Sequence, residues 1–458
     1  MGSIDMEKIK KVHCVGIGGI GVSAIAKFFN VTGKEVSGSD AYAFNTRQQD
    51  LEKKGIKIFI GHRKENVSDD VDLIIYSSAV PKDNPELLNN ITKFSYTEAL
   101  GQIMASHKGI AVSGTNGKTT TTAMLGKILE EGGLSPFVIV GGQVSGWDGN
   151  LLLGKGDIFV VEACEYKRGM MNMQPKVIVL TNIEEDHLDY YKDIEDIKSA
   201  FIDYVKKLPE DGLLVYNKDD ENTVLVADEA ISKKISYAIE NEADLIAQNI
   251  IKGNGFQSFE LLWQGNNLGN FKLYIPGVFN IYNALGAIAT AISLGVSYDN
   301  VKKVVELFSG TWRRFEKVGE KNGVIIISDY AHHPTAVRET INGAKNFYPS
   351  KKILAVFEPH QKDRTIKLFD DFVKAFDGAN EAILSEIYEV AGRNEARHNI
   401  SSRDLVSAIK GQKPAFLISY AKNLEEAEKM VREKMSNYDV VLVMGAGDIY
   451  QVAENLVK

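Results

Sequence analysis

Residues 112–120 read Val-Ser-Gly-Thr-Asn-Gly-Lys-Thr-Thr, and this stretch decides the fold of the middle of the chain. An apolar run precedes it and apolar residues at helical spacing follow it, which predicts a strand, a glycine loop and a helix. Backbone N–H groups of such a loop point at phosphates, Lys118 reaches the outer ones, and the Thr119 hydroxyl is a ligand for Mg²⁺. Val112 stands where the general pattern has a third glycine, so the loop is a shortened variant. The predicted triphosphate-binding residues are Gly114, Thr115, Asn116, Gly117, Lys118, Thr119 and Thr120.

A second glycine-rich turn lies near the start of the chain. Residues 16–21 read Gly-Ile-Gly-Gly-Ile-Gly between a short apolar run and a helical pattern. Glycines at 16, 18 and 21 permit a tight turn and close approach of the backbone to a diphosphate, and Asp40 is placed to accept ribose hydroxyls. The pattern predicts a nucleotide diphosphate at this turn, although dinucleotide coenzymes use the same pattern and a purely structural turn is the alternative.

Bulk composition excludes several classes of protein. The 458 residues carry a net charge of −8, with an isoelectric point near 5.7 and no block of basic residues, so a nucleic-acid or membrane-surface role is not expected. The two cysteines, Cys14 and Cys164, form no disulfide framework. No apolar run is long enough to span a bilayer and no signal core is present, so we expect a cytoplasmic protein.

Polar residues gather where predicted strands of the middle region end. Short β-branched runs such as 157–161 and 176–180 are typical of a mostly parallel sheet, whose chemistry lies at the carboxyl ends of its strands. Glu162 follows one such run and is the first candidate for an Mg²⁺ ligand, with His187 as a second candidate beside the next run. The alternatives are a solvated rim residue for Glu162, a capping or packing role for His187, and a helix start for the acidic run at 184–186.

The chain after residue 275 again alternates between predicted helices and strands. Asn280 and Asn283 lie three residues apart on a predicted helix and can hydrogen-bond a base edge or a phosphate, with helix capping as the alternative for Asn280. Arg313 and Arg314 mark a domain junction, where one of them can clamp a phosphoryl group or form a salt bridge between domains. We therefore predict an α/β protein with domains at residues 1–107, 108–310 and 311–458.

Taken together, these motifs are specific. The chain resembles the Mur ligases of peptidoglycan synthesis over nearly its whole length, and most closely the members that add L-alanine. The resemblance rests on the turn at 16–21 with Ser39 and Asp40, the loop at 114–121, residues 181–187, Asn280 and Asn283, residues 312–316, residues 329–334, residues 357–360 with Arg364, and the terminal Met-Gly-Ala-Gly-Asp at 444–448.

The resemblance implies an N-terminal Rossmann-like domain that binds UDP-N-acetylmuramate, a central P-loop ATPase and a C-terminal Rossmann-like domain that receives L-alanine. Its implied reaction uses ATP as co-substrate and Mg²⁺ as cofactor, with an acyl phosphate as intermediate. The implied sugar-nucleotide contacts are Gly16, Gly18, Gly19, Ile20, Gly21, Ser39 and Asp40. The implied ATP contacts add Asn283, Arg314 and Asp329 to the loop, the metal ligands are Thr119, Glu162 and His187, and the catalytic residues are Lys118, His187, Arg314 and His333.

Three departures distinguish this chain from the usual alanine-adding pattern. Asn116 replaces a histidine in the loop, Cys164-Glu165-Tyr166 replaces an Asp-Glu-Ser run, and Ala331 replaces a glycine. Roles within the trio of Arg314, His333 and His360 stay open. The alternatives are a recycling ligase that joins a preformed peptide to the same sugar nucleotide, an NAD-dependent dehydrogenase and a non-catalytic nucleotide switch. We expect a monomer or weak homodimer that binds neither nucleic acid nor membrane.

Overall fold

A computed structural model describes residue 6 and residues 8–42, 46–187, 190–253, 255–389 and 400–458. Contacts divide the chain into two compact units. The first comprises residues 1–248, 260–270 and 279–305, and the second comprises residues 249–259, 271–278 and 306–458. Within these residues, three β-sheets with helices between their strands confirm the predicted α/β class with three sheet-containing domains.

The N-terminal sheet has five strands in the order β3-β2-β1-β4-β5, and every neighbouring pair is parallel. Its strands are β1 (Lys11–Val15), β2 (Glu35–Asp40), β3 (Lys57–Ile60), β4 (Leu73–Tyr76) and β5 (Thr92–Ser95). Its helices are α1 (Ile20–Val31), α2 (Thr46–Lys53) and α3 (Tyr96–Met104). The strand order changes direction at β1, so the glycine turn after β1 lies where open α/β sheets bind nucleotides.

The central sheet has ten strands in the order β15-β14-β13-β12-β11-β10-β6-β9-β7-β8. Its strands are β6 (Lys108–Ser113), β7 (Phe137–Ile139), β8 (Leu151–Leu152), β9 (Ile158–Glu162), β10 (Val177–Leu180), β11 (Leu213–Asn217), β12 (Lys233–Ala238), β13 (Leu245–Gly253), β14 (Phe256–Trp263) and β15 (Asn266–Leu273). The helices of this region are α4 (Lys118–Glu131), α5 (Ile194–Val205), α6 (Glu221–Asp228), α7 (Val278–Ser293) and α8 (Tyr298–Leu307). Residues 207–275 contribute β11 to β15 and thereby complete this sheet.

The third sheet has six strands in the order β16-β17-β21-β18-β19-β20, and only its β16–β17 pair is antiparallel. Its strands are β16 (Glu316–Lys321), β17 (Val324–Asp329), β18 (Ile353–Glu358), β19 (Glu381–Ser385), β20 (Leu417–Ala421) and β21 (Val440–Gly445). Its helices are α9 (Pro334–Phe347), α10 (Lys362–Lys367), α11 (Phe369–Lys374), α12 (Ser402–Gln412), α13 (Leu424–Lys434) and α14 (Tyr450–Val457).

Inner strands are buried on both faces, which explains their continuous apolar sequences. All residues of β10, β18 and β21 are buried. A parallel strand covered by helices on both sides gains from apolar side chains at every position rather than at alternate ones. Polar residues are therefore confined to the strand ends and the loops that follow, and this is where the candidate site residues lie. Among the helices of the described residues, none is both long and apolar enough to cross a bilayer.

Candidate active site

The phosphate loop between β6 and α4 requires both of its glycines. Gly114 and Gly117 have φ of 130° and 84°, values that residues other than glycine rarely adopt. A Cβ atom on Gly114 would lie 2.1 Å from the Thr181 hydroxyl, and one on Gly117 would lie 2.1 Å from Asn283 Oδ1. The two glycines thus let neighbouring segments pack directly against the loop backbone.

The end of β10 braces this loop through hydrogen bonds. The Asn116 N–H donates to Asn182 Oδ1 at 2.9 Å, and the Thr181 hydroxyl donates to the Asn116 carbonyl at 2.6 Å. The Thr115 N–H donates to the Asn182 carbonyl at 2.9 Å. Thr181 and Asn182, at the end of β10, therefore hold the phosphate loop in one conformation.

Helix α4 starts in a way that favours an anion. Its N-cap is Gly117, which supplies no side-chain cap, and its first turn contains no acidic residue. The N–H groups at its start carry the positive end of the helix dipole. A phosphate group is the ligand that such a helix start binds best.

Lys118 is held by a carboxylate that sequence reasoning did not select. Its Nζ lies 2.9 and 3.1 Å from the two carboxylate oxygens of Glu165, and it also donates to the carbonyls of Gly114 and Thr115. The Glu165 side chain is buried. Its position three residues after Glu162 was the only available signal, because the pairing depends on the turn that follows β9.

Thr119 and Glu162, two of the predicted metal ligands, contact each other. The Thr119 hydroxyl donates to Glu162 Oε2 at 3.1 Å, and Glu162 Oε1 accepts from the Gly141 N–H. This pair offers a hydroxyl oxygen and a carboxylate beside the phosphate loop, which are hard oxygen donors of the kind that Mg²⁺ selects. The donor set therefore fits Mg²⁺, with remaining positions left for water and phosphate oxygens.

His187 lies beside Glu165. Its Nε2 atom is 3.5 Å from Glu165 Oε1, and its ring lies 4.6 Å from the Tyr166 ring. His187, Lys167 and Arg168 all have φ between 50° and 55°. Strained backbone of this kind persists only where the surrounding structure holds it, and it concentrates at functional sites.

Asn280 and Asn283 both lie inside α7 and are buried. Asn283 Nδ2 donates to Asn280 Oδ1 at 3.0 Å, and Asn283 Oδ1 accepts from the Thr121 hydroxyl at 3.4 Å. Asn283 thus packs against the phosphate loop and the first turn of α4. Its predicted contact with the adenosine part of ATP stays a prediction.

In the glycine turn after β1, the Gly18 N–H donates to Asp40 Oδ2 at 2.8 Å. The Ser39 carbonyl accepts from the N–H groups of Gly16 and Ile17 at 2.8 and 3.0 Å. Helix α1 has Gly19 as N-cap, with no side-chain cap and no acidic residue in its first turn. The end of β2 therefore shapes the turn, and the helix start is left open toward an anion.

Glu86 is a buried carboxylate beside Ser39 that sequence analysis missed. It accepts hydrogen bonds from the Ser39 hydroxyl and from Asn66 Nδ2, and His13 Nε2 lies 3.8 Å away. Burial by itself raises the pKa of Glu86, but the His13 ring and the hydrogen bonds from Ser39 and Asn66 outweigh it and lower the pKa from 4.5 to about 2. Glu86 therefore stays ionised and fixes the Ser39 side chain.

Glu86 should make stability depend on pH in the acid range. Because its folded pKa lies below its unfolded value, its contribution is complete above about pH 5 and disappears as pH falls toward 2. Urea unfolding of the wild type and Glu86→Gln from pH 6 to pH 2 should show a difference in unfolding free energy that shrinks by on the order of 3 kcal/mol. A difference that does not change with pH would contradict this assignment.

In the second unit, Arg313 sits in an aromatic cage. Its guanidinium carbon lies 5.2, 4.9 and 5.0 Å from the rings of Trp312, Tyr330 and Tyr450, and it donates to the Gly445 carbonyl. The residue is 4% exposed. Arg313 thus ties the turn at 311–316 to the end of β21.

Arg314 differs from its neighbour because it is exposed, with its guanidinium carbon 5.5 Å from the Tyr330 ring. Both guanidinium groups lie near the Tyr330 ring, but Arg313 is buried whereas Arg314 is exposed. Of the two arginines that the sequence offered as phosphoryl clamps, only Arg314 has its charge accessible to a ligand.

The two arginines form a matched pair for a stability test. Arg313→Ala removes a desolvated cation–π cluster and leaves the Gly445 carbonyl without its donor, so it should lower the unfolding free energy by about 2–4 kcal/mol. Arg314→Ala should change it by less than about 0.5 kcal/mol. Equal effects of both substitutions in urea denaturation would refute the division of roles.

Asp329 supports the same turn. Its Oδ2 accepts from the Phe315 N–H at 2.7 Å and its Oδ1 accepts from the Ala331 N–H at 2.8 Å. Burial raises the pKa of Asp329, and those two hydrogen bonds act in the opposite direction. Its predicted role toward ATP stays a prediction.

The histidines after β17 and β18 occupy different environments. His333 is exposed and forms the N-cap position of α9 without a side-chain cap bond, followed by Pro334. His360 stacks on the Tyr388 ring at 5.4 Å and lies 3.5 Å from an Arg364 nitrogen. His333 can therefore meet a ligand, whereas His360 is oriented by its neighbours.

Comparisons with known proteins cover nearly the whole chain. Residues 11–108 match the Mur ligase family catalytic domain, residues 112–291 the Mur ligase middle domain and residues 313–447 the Mur ligase glutamate ligase domain. The UDP-N-acetylmuramate–L-alanine ligase of Clostridium acetobutylicum is 41% identical over 453 residues, which cover 97% of each chain. The enzyme of the same name from Clostridium kluyveri is 42% identical and covers 99% of each.

A solved structure agrees with these relatives. The crystal structure of UDP-N-acetylmuramate-alanine ligase MurC from Thermotoga maritima matches with a TM-score of 0.81 and 29% identity, covering 98% of both chains. The murein peptide ligase of Psychrobacter arcticus matches with a TM-score of 0.67 at 24% identity, which shows a shared fold only.

Proposed function

Because the chain belongs to the Mur ligase family, we propose that it joins L-alanine to the carboxylate of UDP-N-acetylmuramate with consumption of ATP, a step of peptidoglycan precursor synthesis. The observation that carries this proposal is the match to enzymes of that name at 41% and 42% identity over nearly the full length of both partners. Because the match covers nearly the full length of both chains, we assign the substrates of these enzymes to this chain as one set.

The proposed reaction proceeds through an acyl phosphate. A carboxylate reacts poorly with an amine because oxide is a poor leaving group. Transfer of the γ-phosphoryl group of ATP to a carboxylate oxygen gives ADP and an acyl phosphate. The amine of L-alanine then attacks the acyl carbon, the amide bond forms and phosphate leaves. The protein contributes positioning and neutralisation of charge rather than covalent chemistry of its own.

Residues of the phosphate loop take the proposed ATP roles. When ATP binds, Lys118 leaves Glu165 and contacts the outer phosphates, because these carry more negative charge than one carboxylate. Thr119 and Glu162 hold Mg²⁺, which neutralises phosphate charge when bound. His187 binds either a second metal ion or the incoming carboxylate. The glycine turn with Ser39 and Asp40 receives the UDP part of the sugar nucleotide, at the open start of α1.

Arg314, His333 and His360 of the second unit are proposed to act on the reacting groups. Arg314 contacts the transferring phosphoryl group, because its guanidinium is accessible. His333 and His360 are candidates for stabilising the tetrahedral oxyanion that forms when the amine attacks. ATP and a nucleotide sugar as substrates support a cytoplasmic location. Sedimentation at several protein concentrations tests the expectation of a monomer or weak homodimer.

Phosphate release with ATP, Mg²⁺ and UDP-N-acetylmuramate, measured against a panel of acceptors, tests the proposal. L-Alanine should support the fastest release, and glycine, L-serine and a preformed tripeptide should be slower. Preference for the tripeptide would indicate a recycling ligase. A change in NADH absorbance in a separate incubation with NADH, without phosphate release, would indicate a dehydrogenase. The reaction without acceptor is the control, because it reports ATP hydrolysis that is not coupled to amide formation.

A further inference from the structure

A soft ligand, the Cys164 thiol, lies in the proposed ATP site. One ligand atom each from Cys164, Glu165 and His187 can be chosen so that all three lie within 4.8 Å of one another. Glu165 is buried, whereas Cys164 and His187 are partly exposed, so the cluster is reachable from solvent. Cys164 departs from the usual Asp-Glu-Ser run of the family, and the proposed reaction gives its thiol no role.

The geometry suits one small ion. Tetrahedral bonds of about 2.0–2.3 Å place two ligand atoms about 3.5 Å apart. His187 Nε2 and Glu165 Oε1 already have this separation, at 3.5 Å. Since the remaining separations are at most 4.8 Å, side-chain rotations that move ligand atoms by about 1 Å complete the site.

The chemistry of these three donors differs from that of Thr119 and Glu162. A thiolate, an imidazole and one carboxylate are ligands that Zn²⁺ and Co²⁺ prefer, whereas Mg²⁺ selects oxygen donors. Burial raises the pKa of the Cys164 thiol, so a bound ion has to displace the thiol proton. We propose that Cys164, Glu165 and His187 form a binding site for a thiophilic divalent ion, separate from the oxygen pair that holds Mg²⁺.

This site competes with Lys118, because the ammonium group occupies the same Glu165 carboxylate at 2.9 and 3.1 Å. A divalent ion on Glu165 repels the ammonium group, so each disfavours the other. Binding of the ion also takes His187 away from its proposed partner, which is either a second metal ion or the incoming carboxylate. If the proposed function holds, Zn²⁺ therefore inhibits ligation.

Titration of the full chain with Co²⁺ in excess Mg²⁺ tests the site without turnover. The wild type should show the near-ultraviolet absorption of a thiolate bound to Co²⁺, and Zn²⁺ should remove it. Cys164→Ser should abolish the band, and Cys14→Ser should keep it, since Cys14 is the other cysteine and is buried in the N-terminal sheet. A band that survives in Cys164→Ser, or is absent from the wild type, overturns the proposal.

Two further variants test the other ligands independently of whether Cys164→Ser folds. His187→Ala should weaken Co²⁺ binding at least about tenfold, the lower limit for loss of even an indirect partner of a metal site. Lys118→Met should strengthen it, because the competing cation is gone. Unchanged affinity in either variant refutes the shared use of these residues.

Inhibition separates this proposal from the proposed function. Zn²⁺ should inhibit L-alanine-dependent phosphate release by the wild type and by Cys14→Ser at concentrations that leave Cys164→Ser active. Equal inhibition of all three overturns the proposal. If L-alanine supports no phosphate release while the Co²⁺ band depends on Cys164, only the proposed function fails.

Discussion

Lys118→Ala is expected to lower phosphate release by about 100–1,000-fold or more, since it removes the cation proposed to meet the outer phosphates. ATP hydrolysis and amide formation should fall together because both follow phosphoryl transfer. Binding of UDP-N-acetylmuramate, measured by calorimetry, should change little, because the predicted sugar-nucleotide turn belongs to another sheet. Full turnover by the variant would remove the basis of the proposed ATP site.

Interpretation of this variant depends on Glu165. Loss of Lys118 leaves the buried Glu165 carboxylate without its ammonium partner. Breaking one side of a buried ion pair lowers the free energy of unfolding by about 3–5 kcal/mol. The double variant Lys118→Ala/Glu165→Gln removes that charge and should recover stability without recovering activity. Lys127→Ala on the same helix is the matched control, because Lys127 Nζ donates to the Ser145 carbonyl away from the loop. Activity restored by the double variant would show that misfolding, not phosphate binding, caused the loss.

Glu162→Ala is expected to raise the Mg²⁺ concentration needed for half-maximal phosphate release by about 10–100-fold. The variant removes the carboxylate that the Thr119 hydroxyl meets at 3.1 Å, leaving one protein oxygen of the pair. Mg²⁺ keeps much of its water and relies on very few protein ligands, so each carboxylate counts. Saturating Mg²⁺ should recover part of the rate.

Glu185→Ala provides the control for this titration. Glu185 is an exposed carboxylate in the acidic run at 184–186, so it reports the general effect of removing one negative charge near the loop. Its Mg²⁺ dependence should equal that of the wild type. An unchanged titration for Glu162→Ala would reassign the ligand, with Glu165 as the next carboxylate to test.

Local sequence patterns were sufficient to predict most of the fold. Continuous apolar runs predicted β6, β9 and β10, because strands covered on both faces are apolar throughout. The glycine loop before α4 was predictable because positive φ and close backbone approach leave few residue choices. Strand ends located the candidate site, since parallel strands expose their polar residues at a common edge.

Side-chain partners were not predictable in the same way. Nothing in the run around Glu162 indicates that Glu165 turns inward to Lys118 while Glu162 meets Thr119. Two adjacent arginines look equivalent in sequence, yet Arg313 is 4% exposed and Arg314 is exposed. Glu86 offered no motif, because the residues that lower its pKa lie 20 or more positions away in the chain.

The sequence by itself determined the α/β class, the two glycine turns, the positions of the strand ends and the family resemblance. These depend on backbone conformation and on burial patterns that repeat within about ten residues. The tertiary structure alone decided that Lys118 pairs with Glu165 and that Cys164, Glu165 and His187 meet. It also decided that Arg313 supports the turn at 311–316 while Arg314 faces outward. The physical reason is that charge pairing and desolvation depend on distances between segments far apart in the chain, which no local pattern encodes.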